Sequence, residues 1–588
     1  MSANPDSALD FGIMCGGRVF QDWQARCIGR LLEMEGVNLR LLIVDDRDPE
    51  GKVTRFLNAV SRSGAPSAVS KAVWQVHQDY LISRPPARRK VDLTRLLDGV
   101  DRVHCTVERE GFSEYFTPDD IDSIERYDLD FVLRFSFGII RGRILTVPTH
   151  GVWSFHHGDE RRYRGSPAGF WEIYNDDPVT GAILQRLTDE LDGGVILKRG
   201  SFKTMPQSRE QSLNKLLYAT AGWPAQVATD ILNGNVDPTG GEQSDTDAPI
   251  YTAPNPYQLL RYHLKRTAWY LRSRLRTDER WTIGLVDTEV ATIEDRGLAD
   301  VQWFPARFVD GSLRDPFVTE IGDDIVVFFA DRAHPDADGR ISYCGYEDGT
   351  VLPDVKPAFE GDGDVSYPYV LQADGRNFVV PETRDRDGIR LYEAVEPDQW
   401  EVVKTLVPDE PGVSPTLFRH ADRWWLFFTK RGALPETNLY VWSAETLFGT
   451  WRPHANNPVK TDVRSSQPAG KPWIEAGQVY RPAQDCASGR RTITVNRITE
   501  LSEETFEEET CYSLSPGEES PIEGEVATIS HCNGVVAIDG AGVVPPTQDA
   551  RSPKHEVDVG GTRGPETLTQ WSEDARIATH RIVSRFGG

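Results

Sequence analysis

The chain has few cysteines, and none of the seven, at positions 15, 27, 105, 344, 486, 511 and 532, falls in a Cys-x-x-Cys spacing. That absence argues against a disulfide framework and a thiolate zinc site and leaves reduced thiols. Long apolar runs are also missing. No stretch reaches the roughly eighteen residues a membrane span needs, and the opening MSANPDSALD lacks the basic-then-apolar pattern of a secretory leader. The expectation is a soluble, cytoplasmic protein with no transmembrane segment. Lysine is scarce, 13 of 65 cationic residues, against 90 acidic residues and a formal charge of −25. Nucleic acid is therefore not expected as a partner, because the overall field repels a polyanion. An acid-rich, lysine-poor surface stays hydrated in concentrated salt, so a halophile is the expected source.

At 588 residues the chain exceeds one ordinary core, and its texture divides it. Residues 1–232 alternate apolar strands with helical segments. FGIM at 11 and LRLLIV at 39 flank a helix from Trp23, VHCTV and DFVLRFSF read as further strands, and TPDDIDSIERY carries a helix start signal. This order predicts an α/β, Rossmann-like domain with a mainly parallel sheet, whose ligands gather at strand carboxyl ends. Residues 233–256 are rich in Gly, Pro and Asp and read as a linker. A basic, aromatic helix follows at 257–280. Docking between domains is its expected role, with an acidic lipid surface or a partner as the alternative. From Trp281 helical signals nearly vanish. A loose repeat of about fifty residues, as in RDPFVTEIGDDIVVFFADR, SYPYVLQADGRNFVVPETR and VSPTLFRHADRWWLFFTKR, predicts an all-β five-bladed propeller over 281–544. Residues 545–588 read as a mobile polar tail.

The stretch GVWSFHHGDERRYRG at 151–165 gathers chemistry-bearing residues on the rim of the first domain. Followed by TG at Thr180–Gly181 and by LDGGVIL, it resembles the formyltransferase family that uses 10-formyltetrahydrofolate. The likeness runs from about residue 100 to 200, with weaker support back to residue 11. It implies His156 as the catalytic histidine and Asp192 as the catalytic carboxylate. Tyr163, Arg164 and Gly165 match the family's Tyr-Arg-Gly, with Arg164 and Gly165 at the cofactor. Phe135, Ser136, Phe137, Gly138 and Ile139 fall on its pterin pocket. Such a site needs an oxyanion donor, a base for the attacking amine and an orienting carboxylate. The sequence departs from the family at Ser154, which stands in place of an Asn, and in a charged loop after His156. His157 is the candidate replacement donor.

The second half resembles the five-bladed domain of glucosamine inositolphosphorylceramide transferases, itself similar to the propeller of family 43 glycoside hydrolases. DPF at 315, VVPETR at 379, IRLYEA at 389, WWLFFT at 424 and RPAQD at 481 carry this likeness over residues 281–541. It implies carboxylates aimed into a central funnel, with Asp315, Glu382 and Asp485 as candidates and Arg481 to bind a phosphate or carboxylate. Trp424 and Trp425 read as sheet packing. The two resemblances together imply a formyltransferase acting on an amino sugar or sugar nucleotide, with 10-formyltetrahydrofolate as cofactor. The alternative is a carbohydrate-binding or glycosyl-transferring propeller that carries a degenerate formyltransferase domain. No metal is expected.

Overall fold

The computed structural model describes residues 8–542 except 48–64, 79–83, 191–192, 237, 239, 275–279, 299, 305–310, 334–336, 348, 353, 362, 385–387, 433, 517–521 and 523. The expected catalytic Asp192 and the tail at 545–588 lie outside the described residues.

Seven strands form the N-terminal sheet: β1 (Leu9–Cys15), β2 (Val37–Asp45), β3 (Asp101–Cys105), β4 (Phe131–Arg134), β5 (Val152–His156), β6 (Val179–Arg186) and β7 (Val195–Lys203). Their order is β7-β6-β5-β4-β1-β2-β3; β5, β4, β1, β2 and β3 are mutually parallel, and β6 runs antiparallel to both β5 and β7. Both faces of the inner strands are buried, which explains why β1, β4 and β6 read as continuous apolar runs, whereas the edge strand β3 is mostly exposed. Phe11, Ile13, Leu42, Phe131, Leu133 and Trp153 point into one core beneath the helices Asp22–Leu32, Arg209–Thr220 and Trp223–Leu232. Met14, Leu41, Ile43, Val132 and Val152 point into the other, beneath the helix Pro118–Glu125. The strand period of two divides the residues of each strand between the two cores. The start signal at 117 is real: the Thr117 hydroxyl accepts from Asp120 N at 3.2 Å, and Pro118 occupies the first turn. The sheet reverses its winding between β1 and β4, so its crevice opens beside Met14 and the loop after Arg134.

From Arg280 onward the described chain is β-rich and forms five antiparallel sheets. One of them pairs Arg280–Asp287 with the late strands Val535–Gly542 and Glu525–Cys532, joining the two ends of the region. Neighbouring sheets share cores. The sheet of Trp473 and Ile493 packs on that of Val286 and Ile538, and Phe427 and Leu439 meet Val479 and Ile498. The sequence repeat has a physical cause. The first strands of three sheets carry a bulge at Asp315-Pro316, Tyr367-Pro368 and Ser414-Pro415. There Asp315, Tyr367 and Ser414 adopt φ of 53°, 48° and 50°. A bulge re-aims the strand, and across the sheets Tyr367 Oη then meets Thr416 Oγ1 at 2.9 Å while Asp315 N donates to Asp539 Oδ2 at 2.9 Å.

The two halves are joined by more than the connector. Ser201 of β7 bridges Asp462, and Val463 N donates to Ser201 O at 2.9 Å. Gly200 makes the approach possible, since a Cβ there would lie 3.0 Å from Thr461. Gln226 Nε2 donates to Asn456 O at 3.0 Å and Pro458 O at 2.9 Å, and Asn456 binds Asp230. The segment expected as a linker is itself partly structured. Its Ile250–Tyr251 pairs with Arg164–Gly165, and Ile196 N donates to Glu242 O.

Candidate functional site

A cleft of about 230 Å³ runs along β5, walled by Arg134 and Gly138–Arg141 on one side and by Gln185, Leu187, Thr188 and Glu190 on the other. Ser154 and His156 lie on its floor because alternate residues of β5 face the same way. Between them Phe155 packs edge-on against Trp23 on the helical face, with centroids 5.2 Å apart.

Ser154 is buried, and its Oγ accepts from Arg134 Nε at 3.1 Å and from Nη2 at 2.8 Å. Arg134 Nη1 donates to the carbonyls of Phe137 at 3.2 Å and Gly138 at 2.6 Å, so the loop after β4 wraps the guanidinium. Burial draws the Arg134 pKa below its ordinary value, against a raising effect from Glu114. Glu114 holds the same loop from outside by accepting Gly138 N at 2.6 Å, and it is ion-paired with Arg47 and Arg109. A Cβ at Gly138 would lie 3.0 Å from the Glu114 carboxyl and would press that side chain away from the loop.

His156 Nε2 lies 3.1 Å from Tyr163 O. A carbonyl can only accept, so in the neutral ring Nε2 carries the proton and Nδ1 is the acceptor. The glycines of the motif have steric causes. A Cβ on Gly158 would lie 2.9 Å from Tyr163 O, and one on Gly181 would lie 2.7 Å from Asp159 Cα. The loop after His156 therefore folds over β6 only with glycine at both places.

Several expected residues lie elsewhere. His157 does not enter the cleft. It stacks on Phe155, meets Trp23 edge-on at 5.3 Å and approaches Thr220 Oγ1 at 3.4 Å. Burial, with smaller contributions from His156 and Arg88, lowers its pKa to about 3, so it is a neutral packing residue rather than a donor in the cleft. Arg164 and Gly165 do not line the cleft either. Arg164 donates to the carbonyls of Thr246 and Ala248 at 3.3 Å, and Gly165 lies against Tyr251, whose carbonyl a Cβ would strike. Of the expected pterin loop, Gly138 and Ile139 line the cleft. Phe135 turns to Trp23 in the core at 5.5 Å, and Phe137, at φ 65°, packs on Phe116. Ser136 N bonds Met14 O at the sheet crevice, and its buried hydroxyl has no hydrogen-bond partner among the described residues. Arg134 was not among the expected site residues. Its one signal in the sequence is a cation inside the apolar strand DFVLRFSF.

A second constellation lies where the bulged strands converge. Thr528 Oγ1 donates to Asp315 Oδ1 at 2.9 Å, Asp315 N donates to Asp539 Oδ2 at 2.9 Å, and Tyr367 bonds Thr416 and Gly470 N. Glu382 accepts Ser414 N at 2.9 Å and faces Arg431 at 2.5 Å. Burial raises the Glu382 pKa to about 7, opposed by Arg431 and the Ser414 bond and aided by Asp315. Burial, then the charge of Asp315, raises Asp539 to about 7 as well, and burial also raises Asp315. Paired acids held near neutrality suit proton transfer to a sugar oxygen. Asp539 was missed, being one charge in the strand VVAIDG.

Asp485 and Arg481 do not join this group. Asp485 lies at the junction of the halves, near Asp462, Arg464 and Lys203. Arg481 is fully buried in an ion pair with Glu508, Nη2 to Oε1 at 2.5 Å, and donates to Ser465 O at 2.6 Å. A guanidinium closed into that pair, which Lys460 completes, is not presented to a ligand.

The family described as "Glucosamine inositolphosphorylceramide transferase 1, N-terminal" matches residues 295–519. Glucosamine inositolphosphorylceramide transferase 1 of Oryza sativa subsp. japonica is 28% identical over 214 residues, 35% of this chain and 28% of that protein. Methionyl-tRNA formyltransferase of Xanthomonas euvesicatoria pv. vesicatoria is 26% identical over 171 residues, 28% of this chain and 54% of that protein. The crystal structure of glycinamide ribonucleotide transformylase 1 from Symbiobacterium toebii shares 14% identity and a TM-score of 0.27, over 41% of this chain and 96% of that one. The chain thus spans under a third of the rice relative and about half of the bacterial one. Its N-terminal region is formyltransferase-like, and its C-terminal region is similar to glucosamine inositolphosphorylceramide transferase 1.

Proposed function

We propose that the N-terminal half transfers a formyl group from 10-formyltetrahydrofolate to an amine, most suitably on an amino sugar or sugar nucleotide presented by a five-bladed propeller in the second half. The observation that carries this reading is the cleft along β5, where Ser154, His156 and Arg134 meet. The cleft lies just below the roughly 300–1,000 Å³ range of ligand pockets, a size for one fused-ring head group with the rest of a cofactor outside. The unpartnered Ser136 hydroxyl and the walls of Ile139, Ile140 and Leu187 are compatible with such a head group. The bound cofactor would supply an activated formyl carbon.

The residues divide the remaining work. Ser154 accepts two N–H bonds from a cation, which leaves its own proton to donate and makes it a stronger donor than an isolated serine. This offsets the lost asparagine. His156 Nδ1 can take a proton from the amine while the Tyr163 carbonyl fixes the ring. The test is formyl transfer by the full-length chain to a panel of amino sugars and sugar nucleotides, with binding of a folate analogue measured in parallel. Absence of both would overturn the reading.

A specific observation favours a second reading. Glu382 and Asp539, each raised to about 7 by burial and by the charge of Asp315, are acids suited to glycan chemistry that needs no folate. In that case the second half is the active one and the first a scaffold. Sugar binding that depends on Glu382, without folate binding, would establish it.

A further inference from the structure

Among the described residues the helix Pro256–Arg274 is held by one side only. Leu259 and Tyr262 are buried, with Tyr262 stacked on Phe170 at 4.7 Å. Lys265 Nζ donates to Tyr174 O at 2.7 Å, Arg266 Nη2 to Gln207 O at 2.6 Å, and His263 meets His77 at 2.9 Å. These contacts fix the inner face. Opposite them, Tyr257, Leu260, Leu264 and Leu271 are 70, 59, 62 and 56% exposed. At about 100° per residue these four and Ala268 share one arc of about 80°, a continuous outward stripe. Arg261 and Arg272 flank the stripe on one side and Arg274 on the other, while Lys265 is turned inward to Tyr174 and Asp176. From Thr267 to Arg274 every residue is exposed, Trp269 and Tyr270 among them.

The charge of this helix is opposite to that of the molecule. Its nineteen residues include five Lys or Arg and no Asp or Glu, in a chain of net charge −25. An apolar stripe opposite an anchored face, bordered by cations and aromatic rings, has the composition of a helix that lies in a bilayer interface. Five cations forbid its burial across the bilayer. Pairing of two copies through the stripe would bring cations together with no acid on either helix to offset them. A polyanion such as nucleic acid would leave the leucines uncovered.

We infer that this helix docks the protein on an anionic lipid surface, with the leucine stripe at the headgroup–acyl boundary and Arg261, Arg272 and Arg274 among the headgroups. The acidic remainder of the molecule is repelled by the same surface, so contact is confined to this element and one orientation is selected. The placement does not depend on which half is catalytic.

The full-length chain should sediment with vesicles of phosphatidylcholine containing about a third phosphatidylserine, and not with phosphatidylcholine alone. Binding should fall steeply as salt is raised. Leu264→Asp with Leu271→Asp should reduce it at least about tenfold, and Arg272→Gln with Arg274→Gln should weaken it severalfold, both with unchanged melting because the sites are exposed. Equal binding to neutral and anionic vesicles, or indifference to both double variants, would overturn the inference. So would concentration-dependent self-association that Leu264→Asp with Leu271→Asp abolishes, since the stripe would then be a protein contact.

Discussion

The two constellations bury groups of opposite charge and accommodate them differently. Along β5 a guanidinium is surrounded by neutral acceptors, namely a serine hydroxyl and two backbone carbonyls, and it remains a cation. At the centre of the β-rich half, carboxyls crowd one another, and two are pushed toward protonation at neutral pH. A buried arginine keeps its proton under nearly any burial, whereas a buried carboxyl escapes the cost of charge by taking one up. The first site therefore offers a fixed field and the second a movable proton.

The largest effect tests the first site. His156→Ala should lower formyl transfer by about 10²–10⁴-fold with melting unchanged, measured as kcat on the acceptor found by screening. Full activity in that variant would remove His156 from the chemistry. Next, Arg134→Lys should cost about a hundredfold in kcat, because a single ammonium cannot span Ser154 and the two loop carbonyls. Folate-analogue binding that fell by the same factor, with kcat spared, would make Arg134 a cofactor-site residue instead.

The third prediction concerns protons at the second site. An unfolded glutamate titrates near 4, and the folded Glu382 titrates at about 7. The folded state therefore holds the extra proton between those values. Its contribution is fully present below about pH 4 and is lost as pH rises through 7. Glu382→Gln should flatten that part of the profile and raise stability at pH 8 by about 1 kcal/mol relative to the parent, measured by denaturant unfolding at pH 5 and 8. A steeper profile would mean the group is ionised when folded. The smallest effect is general. With 90 acidic residues repelling across the surface, the melting temperature should rise by several degrees from dilute buffer to molar KCl. A flat curve would show that the acidic surface is already neutralised by its ion pairs.

The sheet was legible because apolar runs, a capped helix start and the GD and TG pairs are local signals. Positions decided by distant pairing were not. The resemblance to the family's Tyr-Arg-Gly puts Arg164 and Gly165 at a cofactor, and nothing near them in sequence announces that Ile250–Tyr251 returns to pair with them. Arg481 read as a ligand-binding cation because Glu508, which closes over it, belongs to a strand the repeat does not mark. Arg134 and Asp539 were overlooked for a shared reason. Strand patterns are read from apolar residues, and one charge inside such a run looks like noise until the register shows what it faces.

The open edge of the seven-stranded sheet has a further consequence. β7 is an edge strand of nine residues, long enough to template pairing with another chain. Residues 242–244 cover its beginning and residues 461–463 cover its later part at Gly200–Ser201, one cover from the connector and one from the other half. Neither half is therefore a neutral passenger on the other. A fragment ending at residue 232 would expose β7 along its whole length, and its first failure would be aggregation rather than loss of a ligand.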